Sequence, residues 1–160
     1  MTNNSNGHKT WREKLSNGNG LPKIKKIHKN MVRKWGKGTV VVPAPMEVDE
    51  IMKRVPGGKV VTINQIREAL ARKHGTTICC PLSTGMFVWI AAHAAEEGLS
   101  EGLNHTTPYW RTLKTGGHLN HKYPGGIEAQ KNLLEKEGLK VIKKRKNYFV
   151  VDFKEHVAQL

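Results

Sequence analysis

The sequence predicts a mainly α chain with a small β component, arranged as a winged helix-turn-helix-like domain with a C-terminal β-hairpin. Three features carry this expectation. Thr62 and Gln65 have the spacing of a capping box and open an apolar-periodic stretch that stops at Gly75. A second apolar stretch from Ser83 to Glu97, with Gly98 as its stop, places two helices in succession across a loop, the grouping of a helix-turn-helix. Near the C-terminus, LKVIKK and NYFVVDF are β-prone runs on either side of Arg145 and Lys146, a hairpin with a basic tip in the place of a wing.

The elements follow in order. Residues 1 to about 20 are rich in Asn, Gly and Ser and are expected to be disordered or loosely attached. Thr39 to Val42 reads as a strand stopped by Pro43 and Pro45. In EVDEIMKRV, residues Val48, Ile51, Met52 and Val55 share one stripe, an amphipathic helix opened by acids and closed by Lys53 and Arg54. Pro56 to Gly58 form a turn before a short strand, Lys59 to Val61. In the capped helix Ile63, Ile66 and Leu70 mark the apolar face. In the next, Met86, Phe87, Trp89 and Ile90 supply bulk, while Ala91, Ala92, Ala94 and Ala95 leave a surface of small residues. Residues 99 to 126 read as loop, and a last helix, Ile127 to Glu137, turns Leu133 and Leu134 inward and stops at Gly138.

At 160 residues the chain is one domain of ordinary size, with 38% hydrophobic residues for a core. Lys and Arg number 27 against 13 acids, a formal net charge of +14. That excess points to a polyanion, nucleic acid before an anionic membrane surface, and away from a ligand that needs a neutral or acidic protein surface. Ten of the cations and one acid, Glu13, lie before position 38, so this stretch holds +9 of the total. The expected organisation is a basic, flexible arm over residues 1–37 that contacts nucleic acid, followed by a domain over 38–160. Met86 to Ala92, the longest strongly apolar run, is far shorter than the roughly 20 residues of a membrane span, and MTNNSNGHKT lacks the apolar stretch of a signal peptide. Cys79 and Cys80 are adjacent and make a poor basis for a structural disulfide, so a cytoplasmic, monomeric protein is expected.

Two blocks carry a resemblance. VPGGKVVTINQIREAL is similar to the "VPxGKVxTYxxIA" opening of the DNA-binding domain in methylated-DNA–protein-cysteine methyltransferases. PYWRTLKTGGHLNHKYPGGIEAQKNLLEKEG is similar to that family's active-site segment, "PCHRV…G…Y.GG…K..LL..EG". The blocks occur in the family's order and span residues 55 to 138, about half of the chain. The family's separate N-terminal domain is not recognisable in residues 1 to 54.

The departures from that pattern shape the functional expectation. The family's nucleophile is the cysteine of PCHR, which accepts an alkyl group from guanine. Here Pro108 and Arg111 are kept, Tyr109 stands at the cysteine's position and Trp110 at the histidine's. Tyrosine is a phenol with an ordinary pKa near 10, and tryptophan has no basic nitrogen to deprotonate it. Glu137 matches the glutamate of the family's proton relay. Self-alkylation is therefore not expected, and the chain resembles the alkyltransferase-like proteins, which bind alkylated DNA without repairing it. In those the substitute is typically tryptophan, not tyrosine.

The resemblance implies a base pocket of Pro108, Tyr109, Trp110, Tyr123, Gly125 and Gly126. Pro124 falls where the family uses a backbone N–H toward the guanine oxygen, and proline has none. The tyrosine and arginine with which the family extrudes a nucleotide are missing, Ile63 and the vicinity of Thr84 standing there, which favours reading of duplex shape over an extruded base. Contacts to double-stranded DNA, alkylated or not, are expected from Ser83, Thr84, Gly85, Ala91 and Ala92 on the second helix, and from Arg111, Arg145 and Lys146. No cofactor is expected. His105, His118 and His121 with the two cysteines lack the spacing of a zinc site, and no metal is expected. Two other readings stay open: an enzyme in which Cys80, just before a helix, serves as nucleophile, and a non-specific architectural DNA binder held by the basic arm alone.

Overall fold

A computed structural model describes residues 7–160. About half of the chain is helical and the β component is small. The chain begins with α1, Trp11–Ser16, whose Thr10 and Glu13 form a capping box. It continues through β1, Lys23–Lys26, and a 3₁₀ turn at Lys29–Met31 into the one-turn helix α2, Val32–Trp35. β2 is Thr39–Val42 and α3 is Pro45–Lys53, proline at its first position lacking only a donor that the helix leaves unpaired anyway. β3, Val61–Thr62, leads into α4, Ile63–His74. Thr62 and Gln65 make both capping-box hydrogen bonds, and Gly75 closes α4 at φ 65°. β4 is Ile78–Cys79 and α5 is Pro81–Ser100. Then come a 3₁₀ turn at Tyr109–Arg111, β5 at Thr112–Leu113, α6 at Gly126–Lys136, β6 at Val141–Lys144 and β7 at Asn147–Val150.

Three small sheets tie these together. β1 pairs antiparallel with β2, Lys23 opposite Val42 and Lys26 opposite Thr39, and β2 pairs parallel with β4. β3 pairs parallel with β5, bringing the entry to α4 beside the exit of the Tyr109–Arg111 turn. β6 and β7 form the expected hairpin, with Arg145 at φ 60° in its turn. The main core joins α3, α4 and α5 through Val48, Met52, Ile66, Leu70, Val88 and Ala91. A second core under the hairpin gathers Val60, Leu113, Leu134, Leu139, Val141 and Val150.

The N-terminal expectation needs correction. Residues 7–37, read as a flexible arm, carry regular structure, and residues 1–6 lie outside the described residues. α1 lies against α5, with Trp11 edge-on to Trp89 and stacked on His93 at 4.6 Å between ring centroids. Glu97 on α5 accepts hydrogen bonds from the backbone N–H groups of Trp11 (3.0 Å) and Arg12 (3.2 Å), donors that a helix start leaves free. The expected boundary at 37/38 falls between two paired strands, β1 and β2. β1 escaped notice because KIKK is exposed at all four positions and its edge is lysine-rich, the composition that keeps sheet edges from pairing with other chains.

α5 also begins earlier and ends later than expected. Pro81 is its first residue, and the helix passes through Gly98. A Cβ at Gly98 would lie 3.1 Å from Leu103 and 3.3 Å from Thr106, so this glycine admits a close crossing of the following segment and does not stop the helix.

Candidate nucleic-acid interface

The two blocks singled out in the sequence meet where β3 pairs with β5, Val61 opposite Thr112 and Thr62 opposite Leu113, and the second block folds back on itself. The rings of Tyr109 and Tyr123 stand edge to face with centroids 5.4 Å apart, and Tyr109 makes a similar pair with Trp110 at 5.5 Å. Yet Tyr109 and Tyr123 are each only 3% exposed, and both belong to the main core. The Tyr123 hydroxyl donates to the Thr112 carbonyl at 2.8 Å, and the Tyr109 hydroxyl donates to Glu96 at 3.3 Å. The expected base pocket is thus filled by its own aromatic rings, because a phenol is far bulkier than the thiol at the corresponding family position. Burial, then the adjacent Glu96 carboxylate, pushes the Tyr109 phenol up to about 12, and burial raises Tyr123 as well. Neither is a nucleophile at neutral pH.

Gly125 caps the start of α6 at φ 75°, where a Cβ would meet that of Ala129 at 2.5 Å. Pro108 caps the 3₁₀ turn that carries Tyr109 to Arg111, and Gly126 is the first residue of α6, at φ 68°.

Arg111 is not available to phosphates. Its Nε donates to both oxygens of Glu137, at 2.9 and 3.1 Å, Nη2 donates to Oε1, and Nη1 donates to the Val55 carbonyl at 2.6 Å. Trp110 Nε1 adds a bond to Glu137 at 3.1 Å, and the Gly58 N–H another. Burial opposes ionisation of Glu137, but these donors outweigh it and hold the carboxyl below the ordinary range. Three of the remaining helix contacts are corrected in the same way. Ala91 and Ala92 are fully buried in the main core, because small residues here let α5 pack closely on its neighbours. Thr84 is fully buried too, its hydroxyl donating to the Cys80 carbonyl at 2.7 Å. Ser83 is half-buried and donates to Cys80 Sγ. Cys80 itself packs with Ile27 and Val40 in a small core that fastens β1 and α2 to the start of α5. Burial raises the thiol of Cys79.

What stays open lies alongside. A groove of about 700 Å³ runs between the outer face of α5 and residues 114–122, lined by Ile63, Leu82, Gly85, Met86, Trp89, Lys114, Asn120 and Lys122. It shares Ile63 and Lys114 with a second groove of about 480 Å³ that reaches His118, His121, Lys146 and Tyr148 at the hairpin. No carboxylate lines either groove. Arg145 and Lys146 are exposed at the hairpin tip, as expected. The wall of the groove is held from behind by Gln130, fully buried on α6. Its Oε1 accepts the Asn120 N–H at 2.8 Å and its Nε2 donates to the Trp110 carbonyl at 3.1 Å. The 114–119 segment is stitched to the hairpin by the Leu119 N–H, which donates to Tyr148 at 2.9 Å.

The sequence reading did not single out Leu82, Met86, Lys114, Lys122 or Gln130 for the site. Leu82, Met86 and Trp89 follow the i, i+4, i+7 rule on a helix whose other faces are apolar as well, so periodicity could not separate an outer stripe from the core stripe. Gln130 lies on the same stripe of α6 as Ile127 and Leu134, and a lone amide in an apolar stripe was the available signal.

Among the described residues no helix is long and apolar enough to cross a membrane. No protein-family model matches the chain, and no curated protein matches it by sequence. Two solved structures share its fold. One is S. pombe Atl1 in complex with damaged DNA containing O6-carboxymethylguanine, with a TM-score of 0.50 and 20% identity, covering 72% of this chain and 94% of that chain. The other is S. pombe ATL in complex with DNA, with a TM-score of 0.52, 20% identity and the same 72% and 94% coverage. At that level of identity the likeness establishes the fold, and the chain has the fold of these alkyltransferase-like structures.

Proposed function

We propose that this chain is a non-enzymatic DNA-binding protein of the alkyltransferase-like kind, which grips duplex DNA and recognises alkylated guanine without removing the alkyl group. The observation that carries the reading is the acid-free, lysine-lined groove beside α5, the second helix of the α4–α5 pair, on a fold whose solved neighbours hold DNA. α4 and α5 act as the helix-turn-helix and β6–β7 as its wing. Lys114, Lys122, Arg145 and Lys146 contact phosphates and supply a salt-dependent affinity. An alkylated base seats in the groove over Ile63, Met86 and Trp89, with Asn120 and the lysines as polar partners, in place of the filled space between Tyr109 and Tyr123. The phenol of Tyr109, buried beside the Glu96 carboxylate whose negative charge disfavours a phenolate, supports a binding role without chemistry.

The test is an anisotropy competition at moderate salt between matched duplexes, one with an O6-alkylguanine and one unmodified. Preference for the modified duplex supports lesion recognition. Equal binding reduces the reading to a duplex binder, and no binding to either overturns it.

A further inference from the structure

Between Glu13 and Glu47 the chain has no acidic residue and eight cations, seven of them from Lys23 to Lys37. All seven are exposed, and none forms an ion pair among the described residues. Over residues 38–160, by contrast, 12 acids accompany 17 cations, and pairs such as Lys73 with Glu47 and Lys53 with Asp49 form. The seven cations ride on β1, the 3₁₀ turn, α2 and the link to β2, held by the small core of Ile27, Val40 and Cys80 with Val32 and Trp35 packed against it. Like charges crowded on a folded scaffold repel one another. Guarding the edge of β1 accounts for the lysines on that strand alone, and Lys29, Arg33, Lys34 and Lys37 lie off it. A cleft of about 630 Å³ opens among them, lined by Lys26, His28, Lys29 and Lys37 with Ile27 and Val32, and no carboxylate lines it. The sheet register places this surface. Ile24 pairs with Val41 and Val41 with Cys79, so two strand spacings, about 10 Å, separate β1 from Cys79. α5 begins two residues later at Pro81, and Pro81 and Leu82 line the groove beside that helix. β1 runs antiparallel to β2 and turns Lys23 toward the end of the sheet from which α5 leaves.

We infer that residues 23–37 form a second phosphate-binding surface, which grips the backbone of the same duplex beyond the stretch held at the α5 groove and so lengthens the footprint. The inference rests on the duplex-binding reading above. It adds a folded contact region separate from Lys114, Lys122 and the hairpin tip. The cations stand at fixed positions before DNA arrives, so little further chain has to be ordered on binding, unlike the flexible arm expected from composition. An acidic protein would match the charge as well, but the continuity of the surface with the start of α5 favours the duplex. Phosphate contacts position a protein and carry no sequence information. This surface therefore contributes affinity and register, and leaves any preference for a damaged base to the groove.

The experiment uses the full chain and unmodified duplexes of about one, two and three helical turns, roughly 10 base pairs each. The variant K29Q/R33Q/K34Q/K37Q changes only exposed side chains, and its urea-unfolding midpoint should match wild type. On the shortest duplex, which the groove alone occupies, the two should bind within about twofold of each other. On the longer ones the variant should bind about tenfold more weakly, with log affinity against log salt flatter by about 2 units, at roughly 0.9 per phosphate contact. The pair K29Q/K37Q, outside α2, should give the same pattern at about half that change in slope. Equal affinities at every length would overturn the second surface and leave the groove standing. A loss of the same size at every length would overturn it too, since that reports net charge and not footprint. A variant that binds every duplex as wild type does but no longer binds a polyglutamate peptide would assign the patch to an acidic protein and overturn the inference. Failure of wild type to bind any duplex overturns both this surface and the duplex-binding reading.

Discussion

The indole N–H of Trp110 lies 3.1 Å from Glu137 and donates to the same carboxylate oxygen that Arg111 grips. Tryptophan is thereby used as a donor and not as a base, and the carboxylate becomes a structural anchor joining the Tyr109–Arg111 turn to the end of α6 and, through Gly58, to the turn before β3.

Replacing Glu137 by Gln should cost about 3 kcal/mol in urea unfolding at neutral pH, since it leaves a partly buried guanidinium without its counter-ion. The folded-state pKa of Glu137 is depressed, so its stabilisation is complete above the unfolded-state value and drains away as pH falls through the folded one. The stability gap between wild type and E137Q should therefore close on acidification from neutral pH. A gap that holds constant down to about pH 3 would contradict the assignment.

Tyr109 should behave as a core residue. Tyr109→Phe removes one hydrogen bond to Glu96 and should cost about 1 kcal/mol, whereas Tyr109→Ala opens a void against Tyr123 and Trp110 and should cost about 3–5 kcal/mol. DNA affinity of Y109F should stay within about twofold of wild type, a difference of under 0.5 kcal/mol. A large loss of affinity with unchanged stability would make the phenol part of the binding surface.

Charge reversal on the groove should show in salt dependence. Changing Lys114, Lys122 and Lys146 together to Glu should weaken duplex binding and flatten the plot of log affinity against log salt by about 2–3 units, at roughly 0.9 per phosphate contact. Arg111→Met, by contrast, should lower stability and leave that slope unaltered, because Arg111 is occupied by Glu137 and Val55.

Gly85 separates folding from binding. It lies inside α5 and lines the groove, and a Cβ there meets nothing within 4 Å. Gly85→Ala should raise stability by about 0.5–1 kcal/mol through helix propensity. If DNA approaches the helix backbone at this turn, the same change should lower affinity. An increase in both would place the duplex elsewhere.

Local signals with their own hydrogen bonds were readable from the chain: the Thr62–Gln65 box, the Gly75 stop and the hairpin around Arg145 each follow from residues within a few positions of one another. The errors arose where distant packing decides. Gly98 is helical because the segment at Leu103 and Thr106 crosses it, and Ala91 and Ala92 face the core because α3 and α4 cover that side of α5. The folded state of α1 depends on Glu97, 84 positions beyond Glu13, and no window around Trp11 contains that carboxylate. At the site Tyr109 and Tyr123 stand side by side, and the resemblance could not tell that two phenols would close the space between them.

Glu97 also fixes where the described chain starts on the surface. It holds the first turn of α1 fifteen residues along α5 from Leu82, which at 1.5 Å per residue is about 22 Å of helix. A dye, affinity handle or surface linker coupled at His8 would therefore lie far from the Leu82 end of the groove but near its Trp89 end, where Trp11 packs. Labelled this way, the protein should keep the Leu82 end of the groove open and carry its reporter beside the Trp89 end.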